Sequence, residues 1–359
     1  MKDIARDLGV STVTISKVLR NHPDVGEETR ERVLARVKEL DYQPNPAARS
    51  LATGRTYLVG LVAPSLLHPF FAEIAKSLSD VLRKHGYYLI VSSSEEDPDL
   101  EEQEINQLLA RRLDTLIIAS CRSTVEVFSR IEKQRIPYIL IDRSFPWLSA
   151  NFVGVDDVAV GMLATQHLIN IGCKRIAHIR GPETSPGLHR LEGYKRALGQ
   201  NGRKVIDEYV IAEPKGDVGT GLRGAEAMKQ LLTCKPKPDG LFCFNDPLAM
   251  GAINEALNLG LKIPDDIAII GCGNLHYDDS LRVPLSSIDQ HSHRIGEEAA
   301  RLALEILKSK VAPRPETVVL QPELIVRAST RRCAAKSSSS LEKVLGPGPS
   351  RVTMSDYSS

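Results

Sequence analysis

Residues 1–19 read MKDIARDLGVSTVTISKVL, and this stretch decides how the chain begins to fold. Ile4 marks the apolar face of a first short helix and Gly9 ends it. Ser11 suits the cap of a second helix, on which Ile15 faces inward. A helix, a glycine-containing turn and a second helix form the arrangement whose second helix enters the DNA major groove. The alternative is an ordinary helical hairpin.

The outward face of the second helix carries the candidate DNA contacts. Thr12 and Lys17 are predicted to bond base edges, because Lys can donate to the acceptors of guanine. An apolar side chain on such a face has the thymine methyl as its natural partner, which is the role predicted for Val13. Ser16 is predicted to meet a phosphate, and Asn21, just after the helix, is a further candidate.

A second DNA-contacting signal follows in residues 44–56. Asn45 suits a helix cap, Pro46 the first helical position and Gly54 the residue after the end. The helix so defined has about two turns, so we expect it to be frayed until it docks on DNA. A leucine on a basic helix can act as a wedge in the minor groove. The candidate contacts of this hinge are Arg49, Ser50 and Leu51.

Several motifs in order along the chain resemble those of the LacI/GalR family of bacterial repressors. They include GVSTVTISKVLRN, YQPNPAARSLATGRT, FCFNDPLAMGAINEALNLGLKIPDDIAIIGCGN and LQPELIVRAST, and the resemblance covers residues 1 to about 330. It implies a repressor that acts as a symmetric dimer on a pseudo-palindromic operator under the control of a small-molecule effector. It also implies a periplasmic-binding-protein-like pair of lobes joined by three crossings.

The rest of the chain has the pattern of an α/β protein. From Tyr57 onward short apolar runs alternate with helical periodicity, which is typical of βαβ units and parallel sheets. We therefore expect an all-α helix-turn-helix headpiece followed by two doubly wound lobes. The predicted segments are a headpiece at 1–43, a hinge helix at 44–56, an effector-binding and dimerisation domain at 57–330 and, from its composition, a disordered tail at 331–359. Within this domain, lobe 1 is predicted at about 57–156 and 288–319, and lobe 2 at about 157–287 and 320–330.

Ligands of doubly wound sheets bind beyond the carboxyl ends of the strands, so polar residues at these ends are effector-site candidates. The candidates are His68, Phe70, Phe71, Arg143, Asp156, Arg190, Asn245 and Asn274. The resemblance implies apolar or stacking walls from the two phenylalanines and hydrogen bonds to a polar effector from Arg190 and Asn245. Asp157 and Asp246 stand where helices begin and are expected to be caps, and Arg190 has a surface helix position as its alternative.

Two departures from the family pattern bear on the effector. His68 stands where many members have Asn, and Gly273 stands where many carry a carboxylate. We expect a carbohydrate or sugar derivative. The missing carboxylate favours a sugar acid among these, because Arg190 and Arg143 would then face less negative charge.

Composition excludes several other classes. The net charge of +1 and 42% hydrophobic content are ordinary for a globular protein. The six cysteines form no C-x-x-C pair, and no two histidines have metal-ligand spacing, so no bound metal is expected. The G-x-G-x-x-G at 219–224 lies outside a first βα turn, and no catalytic motif is present, so we expect neither a cofactor nor an enzyme.

Localisation and the remaining alternatives follow from the same sequence. No apolar run has membrane-spanning length and no signal region precedes the first helix, so a cytoplasmic protein without a membrane partner is expected. A sugar-binding transport protein and an α/β enzyme are the alternatives that the helix-turn-helix and the absent motifs disfavour. Since family headpieces usually carry a few residues before the first helix, the sequence leaves open a start upstream of Met1.

Overall fold

The structure is a computed structural model that describes residues 1–19, 21–43, 46–121, 126–212, 221–309, 311 and 313–332. The predicted cap Asn45 and the predicted tail beyond Arg332 lie outside the described residues. In chain order the helices are α1 (Lys2–Leu8), α2 (Thr12–Leu19), α3 (Glu27–Glu39), α4 (Pro46–Thr53), α5 (Pro69–Lys84), α6 (Pro98–Ala110), α7 (Glu126–Lys133), α8 (Asp157–Asn170), α9 (Ser185–Gln200), α10 (Leu222–Leu231), α11 (Asp246–Asn258) and α12 (Ser292–Lys308). The strands are β1 (Leu58–Ala63), β2 (Tyr88–Ser93), β3 (Thr115–Ile118), β4 (Tyr138–Ile141), β5 (Asn151–Val155), β6 (Ile176–Arg180), β7 (Val210–Ala212), β8 (Gly240–Cys243), β9 (Ala268–Cys272), β10 (Ser286–Asp289), β11 (Thr317–Leu320) and β12 (Glu323–Ile325).

The headpiece is a three-helix unit built as the sequence predicts. Gly9 ends α1 with a left-handed φ of 64°, and the Ser11 hydroxyl accepts the Thr14 N–H at 3.0 Å. Both features satisfy helix-end groups that would otherwise lack partners. Ile15 is fully buried at the centre of the small core. Leu40, which follows the last residue of α3, is 43% exposed.

The first lobe is built on a six-stranded parallel sheet in the order β11-β5-β4-β3-β1-β2. Helices α5 and α12 pack together on one face of this sheet. The contact is close, since a Cβ placed on Gly296 of α12 would lie 2.6 Å from the Ile74 carbonyl oxygen of α5. The second lobe has the order β12-β10-β9-β8-β6-β7, parallel except for β12, which runs antiparallel to β10.

Three crossings connect the two sheets. The chain first passes over between β5 and α8, returns between β10 and α12 at residues 290–291, and passes again between β11 and β12. The lobe boundary at the second crossing was predicted between residues 287 and 288. It lies later, because Ile288 still pairs with Cys272 and Leu324 in the second sheet.

Helices α8 and α9 of the second lobe meet backbone against backbone. A Cβ on Gly161 would lie 2.1 Å from the Arg190 carbonyl oxygen, and a Cβ on Gly193 would lie 2.2 Å from the Val158 carbonyl oxygen. This crossing brings α9 beside the first turn of α8. Over the described ranges, no helix is both long enough and apolar enough to cross a bilayer.

Candidate DNA-binding surface and effector cleft

The predicted recognition face lies on the surface of the headpiece. Thr12 and Val13 are exposed at the start of α2, and Val13 leaves 61% of its surface to solvent. Ser16 and Lys17 are half-buried, and the Lys17 ammonium lies 3.2 Å from the Asp24 carboxylate. An ion pair this exposed contributes about 0–1 kcal/mol. Giving up this ion pair therefore costs little free energy.

Asn21 has a different local role from the helix residues. Its backbone is left-handed, with φ at 54°. Its side-chain oxygen accepts a hydrogen bond from the Arg30 guanidinium of α3 at 2.6 Å. The same guanidinium donates to the His22 carbonyl oxygen at 2.7 Å. Arg30 thereby fixes the turn that follows the recognition helix, and Asn21 itself remains exposed.

The hinge helix has the bounds expected from the sequence where the structure describes it. Gly54 ends α4 with φ at 69°, and its N–H donates to the Ser50 carbonyl oxygen at 2.8 Å. Leu51 is 88% exposed and Arg49 is exposed beside it. A leucine this exposed contributes almost nothing to the stability of the folded chain by itself.

The hinge is fastened to the first lobe just after this helix. The Arg55 guanidinium donates to the Leu307 carbonyl oxygen in the last turn of α12, and to the Tyr87 hydroxyl at 3.2 Å. The Asp114 carboxylate accepts the Thr56 N–H at 2.9 Å. A cation at the carbonyl end of a helix is favourable, because the last carbonyl groups lack partners within the helix.

Arg190 is the centre of a buried polar cluster where the second lobe meets the second crossing. It is 2% exposed, and its Nε donates to Asp157 Oδ1 at 2.8 Å. Its two Nη atoms donate to the Phe244 carbonyl oxygen at 2.7 Å and to Gln290 Oε1 at 2.5 Å. The guanidinium also lies over the Phe244 ring, 4.5 Å from its centroid. Since Gln290 belongs to the second crossing, Arg190 is coupled to the connection between the lobes. Its surface alternative is wrong.

The helix caps beside this cluster are one residue earlier than predicted. Asp156 caps α8 by accepting the Ala159 N–H at 3.0 Å, and Asn245 caps α11 by accepting the Leu248 N–H at 3.0 Å. Asp157, expected to be a cap, is the buried partner of Arg190. Asp246, also expected to be a cap, accepts the Ser287 hydroxyl at 2.7 Å. The caps are therefore the residues that precede each helix. Asp157 and Asp246, the first residues of the two helices, instead face inward.

His68 and Asn245 meet across the cleft. His68 Nδ1 accepts the Phe70 N–H and so caps α5, while His68 Nε2 lies 3.4 Å from Asn245 Nδ2. Burial, together with the charges of Arg190 and Arg143, lowers the pKa of His68 to about 4. The imidazole is therefore neutral at pH 7. Because its Nδ1 accepts the Phe70 N–H, its Nε2 carries the proton, so both this nitrogen and the Asn245 amide are donors.

The two phenylalanines after His68 face mainly into the core of the first lobe. Phe70 and Phe71 are 3% and 5% exposed and pack edge to face with ring centroids 5.1 Å apart. Each ring also packs edge-on against the His68 imidazole. They support the histidine at the mouth of the cleft rather than presenting open faces to it.

Arg143 is neutralised by carboxylates in the first lobe. Its guanidinium forms a bidentate pair with Glu96 and lies 3.7 Å from the Asp142 carboxylate. Burial raises the pKa of Asp142 to about 6, against the opposing charge of Arg143. Both arginines are thus paired with carboxylates from distant parts of the sequence, Arg143 with Glu96 and Arg190 with Asp157.

Asn274 and the glycine before it belong to a buried acidic corner of the second lobe. Asn274 donates to Asp289 at 3.1 Å and accepts from Arg327 at 2.8 Å. The space beside Gly273 is filled from another helix, since a Cβ there would lie 2.7 Å from Asp246 Oδ2. Asp246 thus places a carboxylate beside the position where the family pattern has one.

A bacterial DNA-binding regulator is the class of protein that this headpiece, hinge and pair of lobes define. Residues 1–45 match the family described as "Bacterial regulatory proteins, lacI family", and residues 165–330 match a "Periplasmic binding protein-like domain". The chain belongs to the lacI family. It is a DNA-binding transcriptional regulator, and the relatives below are regulators rather than enzymes.

Curated relatives and solved structures agree over nearly the whole length. Catabolite control protein A of Priestia megaterium is 33% identical over 92% of this chain and 98% of its own. The HTH-type transcriptional repressor CytR of Escherichia coli strain K12 is 31% identical over 92% and 96%. The structure of the lac repressor dimer bound to operator and an anti-inducer has 25% identity and a TM-score of 0.80 over 91% and 98%. A CelR–cellobiose complex has 27% identity and a TM-score of 0.70 over 91% and 98%.

Proposed function

We propose that this regulator is a cytoplasmic homodimeric repressor whose affinity for a pseudo-palindromic operator is controlled by an uncharged carbohydrate bound between its lobes. Residues 1–43 and 44–56 bind the major and the minor groove, and residues 57–330 bind the effector and form the dimer. The observation that carries the DNA assignment is the exposure of two apolar side chains, Val13 and Leu51, on two short helices near the N-terminus. Each is suited to a nucleic-acid partner, the first to a thymine methyl and the second to a base step.

The base-reading role of Lys17 is tested with duplexes selected from a random library by the full-length protein. Lys17→Ala is expected to lose about 1–3 kcal/mol of discrimination between the selected duplex and a scrambled one. Lys38→Ala is the matched control, because it removes one positive charge from an exposed position of α3 outside the recognition face. If Lys17→Ala weakens both duplexes equally, Lys17 contacts phosphate and the base assignment is wrong.

The charge balance of the cleft supports an uncharged effector. Arg190 is paired with Asp157 and Arg143 with Glu96, so neither guanidinium offers a surplus charge to an anionic sugar acid. The two cations instead provide a polar, neutral lining together with the neutral His68 and the Asn245 amide. Hydroxyl groups can both donate and accept, which suits such a lining. The cellobiose complex of the CelR structure agrees with this class of ligand.

A thermal-shift screen of the full chain against neutral sugars, sugar acids, nucleosides and purines tests the effector class. We expect a neutral sugar to raise the melting temperature, since a ligand that binds only the folded state stabilises it. Asn245→Ser is the matched variant, because Ser is also a good helix cap but lacks the amide donor. It should melt close to the parent and lose the shift. A response confined to sugar acids would contradict the charge argument.

A further inference from the structure

The exposed arginine of the hinge helix rests on an aromatic ring of the first lobe. The guanidinium carbon of Arg49 lies 3.4 Å from the centroid of the Tyr57 ring. At this distance a planar guanidinium stacks on the ring, where cation–π attraction holds it. Its N–H donors then point outward in the guanidinium plane. Among the residues that the structure describes, none accepts a hydrogen bond from this side chain.

The ring beneath the arginine is itself held in place. Tyr57 has a left-handed backbone with φ at 60°, which is uncommon for a residue other than glycine. Its N–H donates to Asp114 Oδ2 at 2.8 Å, and its carbonyl oxygen accepts the Tyr88 N–H at 2.9 Å. The Tyr87 ring packs against it with centroids 5.4 Å apart. Tyr57 is therefore a fixed platform at the start of β1.

We propose that Tyr57 is a positioning residue for operator binding, which holds the Arg49 guanidinium so that its free edge donates to a DNA phosphate. The proposal rests on the proposed minor-groove role of the hinge helix. Stacking occupies the face of the guanidinium and leaves its edge donors available, which is the geometry that phosphate recognition uses. It also limits the rotamer freedom that Arg49 loses when DNA binds.

The size of the effect follows from the strength of one exposed stack. An exposed cation–π contact corresponds to about a two- to five-fold change in an equilibrium constant. A dimer has two hinges, so replacing the ring with an aliphatic side chain is expected to weaken operator binding about four- to twenty-five-fold. Tyr57→Phe keeps the ring and should retain the parent affinity.

The test measures the binding of full-length variants to the selected duplex over a range of salt concentrations. Arg49→Ala should lower the slope of log affinity against log salt by about 0.9 per hinge, because one phosphate contact is lost. Tyr57→Leu should weaken binding while retaining most of this slope and the melting temperature of the free protein. In the Arg49→Ala background, Tyr57→Leu should have no further effect, which a purely structural role would not produce.

Each other outcome has a definite meaning. If Arg49→Ala leaves both affinity and slope unchanged, the hinge does not contact phosphate and the proposed function fails at this point. If Arg49→Ala acts but Tyr57→Leu binds like the parent, the platform proposal is wrong while the hinge contact stands. If Tyr57→Leu binds more tightly, the ring withholds Arg49 from DNA, which also overturns the proposal.

Discussion

Removing Arg190 should destabilise the second lobe strongly, even before any effect on a ligand. Its Nε lies 2.8 Å from Asp157 Oδ1, and both side chains are at most 5% exposed. Arg190→Ala therefore leaves a buried carboxylate without its cation. Breaking a buried pair in this way costs about 3–5 kcal/mol. For a unit of this size the corresponding fall in melting temperature is about 6–20 °C.

The charge origin of this loss is separable from the loss of packing. Arg190→Ala combined with Asp157→Asn removes the unpaired charge and should recover a large part of the stability. Circular dichroism during thermal unfolding measures both variants against the parent. Arg196→Ala is the matched control, since Arg196 lies on the same helix with its guanidinium paired at the surface to Glu192. It should change stability by less than about 1 kcal/mol.

The pH dependence of the single variant has a definite sign. Burial already raises the pKa of Asp157, and Arg190 opposes that rise. Without Arg190 the folded-state pKa rises further above its ordinary value near 3.8. A raised carboxyl pKa gives stability at low pH that is lost as the pH rises through the folded-state pKa. The deficit should therefore be smaller at pH 5 than at pH 8. A deficit that is equal at both pH values and unaffected by Asp157→Asn would refute the buried-charge argument.

Three further changes have expected outcomes. His68 has a folded-state pKa lowered to about 4, so its protonation between pH 6.5 and 4 favours unfolding. His68→Asn keeps a helix cap, and in urea titrations it should lose up to about 3 kcal/mol less stability over this pH range than the parent. An identical loss of stability in the two proteins would contradict this. Leu51→Ala should leave the melting temperature unchanged but weaken operator binding about 100-fold or more. In the parent protein, the amide protons of 46–53 should exchange more slowly on the operator than in the free protein. Equal exchange rates with and without DNA would exclude DNA-dependent folding of the hinge. Gly161→Ala should prevent the close approach of α8 and α9 and destabilise the protein. Gly199 has open space around it, so Gly199→Ala should stabilise the protein by up to about 1 kcal/mol. Similar melting temperatures for the two variants would contradict the packing argument.

Local sequence signals predicted most of the architecture because they act within a few residues. Gly9 and Gly54 end helices through their left-handed backbones, and Ser11 caps α2 with its own hydroxyl. Alternation of apolar runs and helical periods predicts strands that agree with β1–β6, β8 and β9 to within one residue at each end. The predicted ranges are 58–62, 88–92, 115–119, 138–141, 152–155, 175–179, 240–244 and 267–271. The strands β7, β10, β11 and β12 were not predicted. β7 and β12 have only three residues each, and the sequence SSID of β10 contains no apolar run.

The cleft was predicted less well because its partners are distant along the chain. Arg143 pairs with Glu96 and Arg190 with Asp157, and neither spacing has a local pattern. Asp156 and Asp157 at the start of α8 have the same capping chemistry, so the sequence alone does not distinguish between them. The three-dimensional crossing of α8 and α9 decides between them by placing Arg190 beside the second. Phe70 and Phe71 were assigned to the ligand, although the apolar face of α5 needs them for the core.

The positions of β11 and β12 determine when each sheet can be completed during synthesis. β11 completes the edge of the first sheet beside β5, and β12 completes the edge of the second beside β10. At a translation rate of about 5–20 residues per second, β11 leaves the ribosome roughly 160 residues and about 8–30 s after β5. During that interval the free edge of β5 presents unpaired backbone groups, which are a template for pairing with another nascent chain. Both sheets are therefore complete only after β11 and β12 have been synthesised.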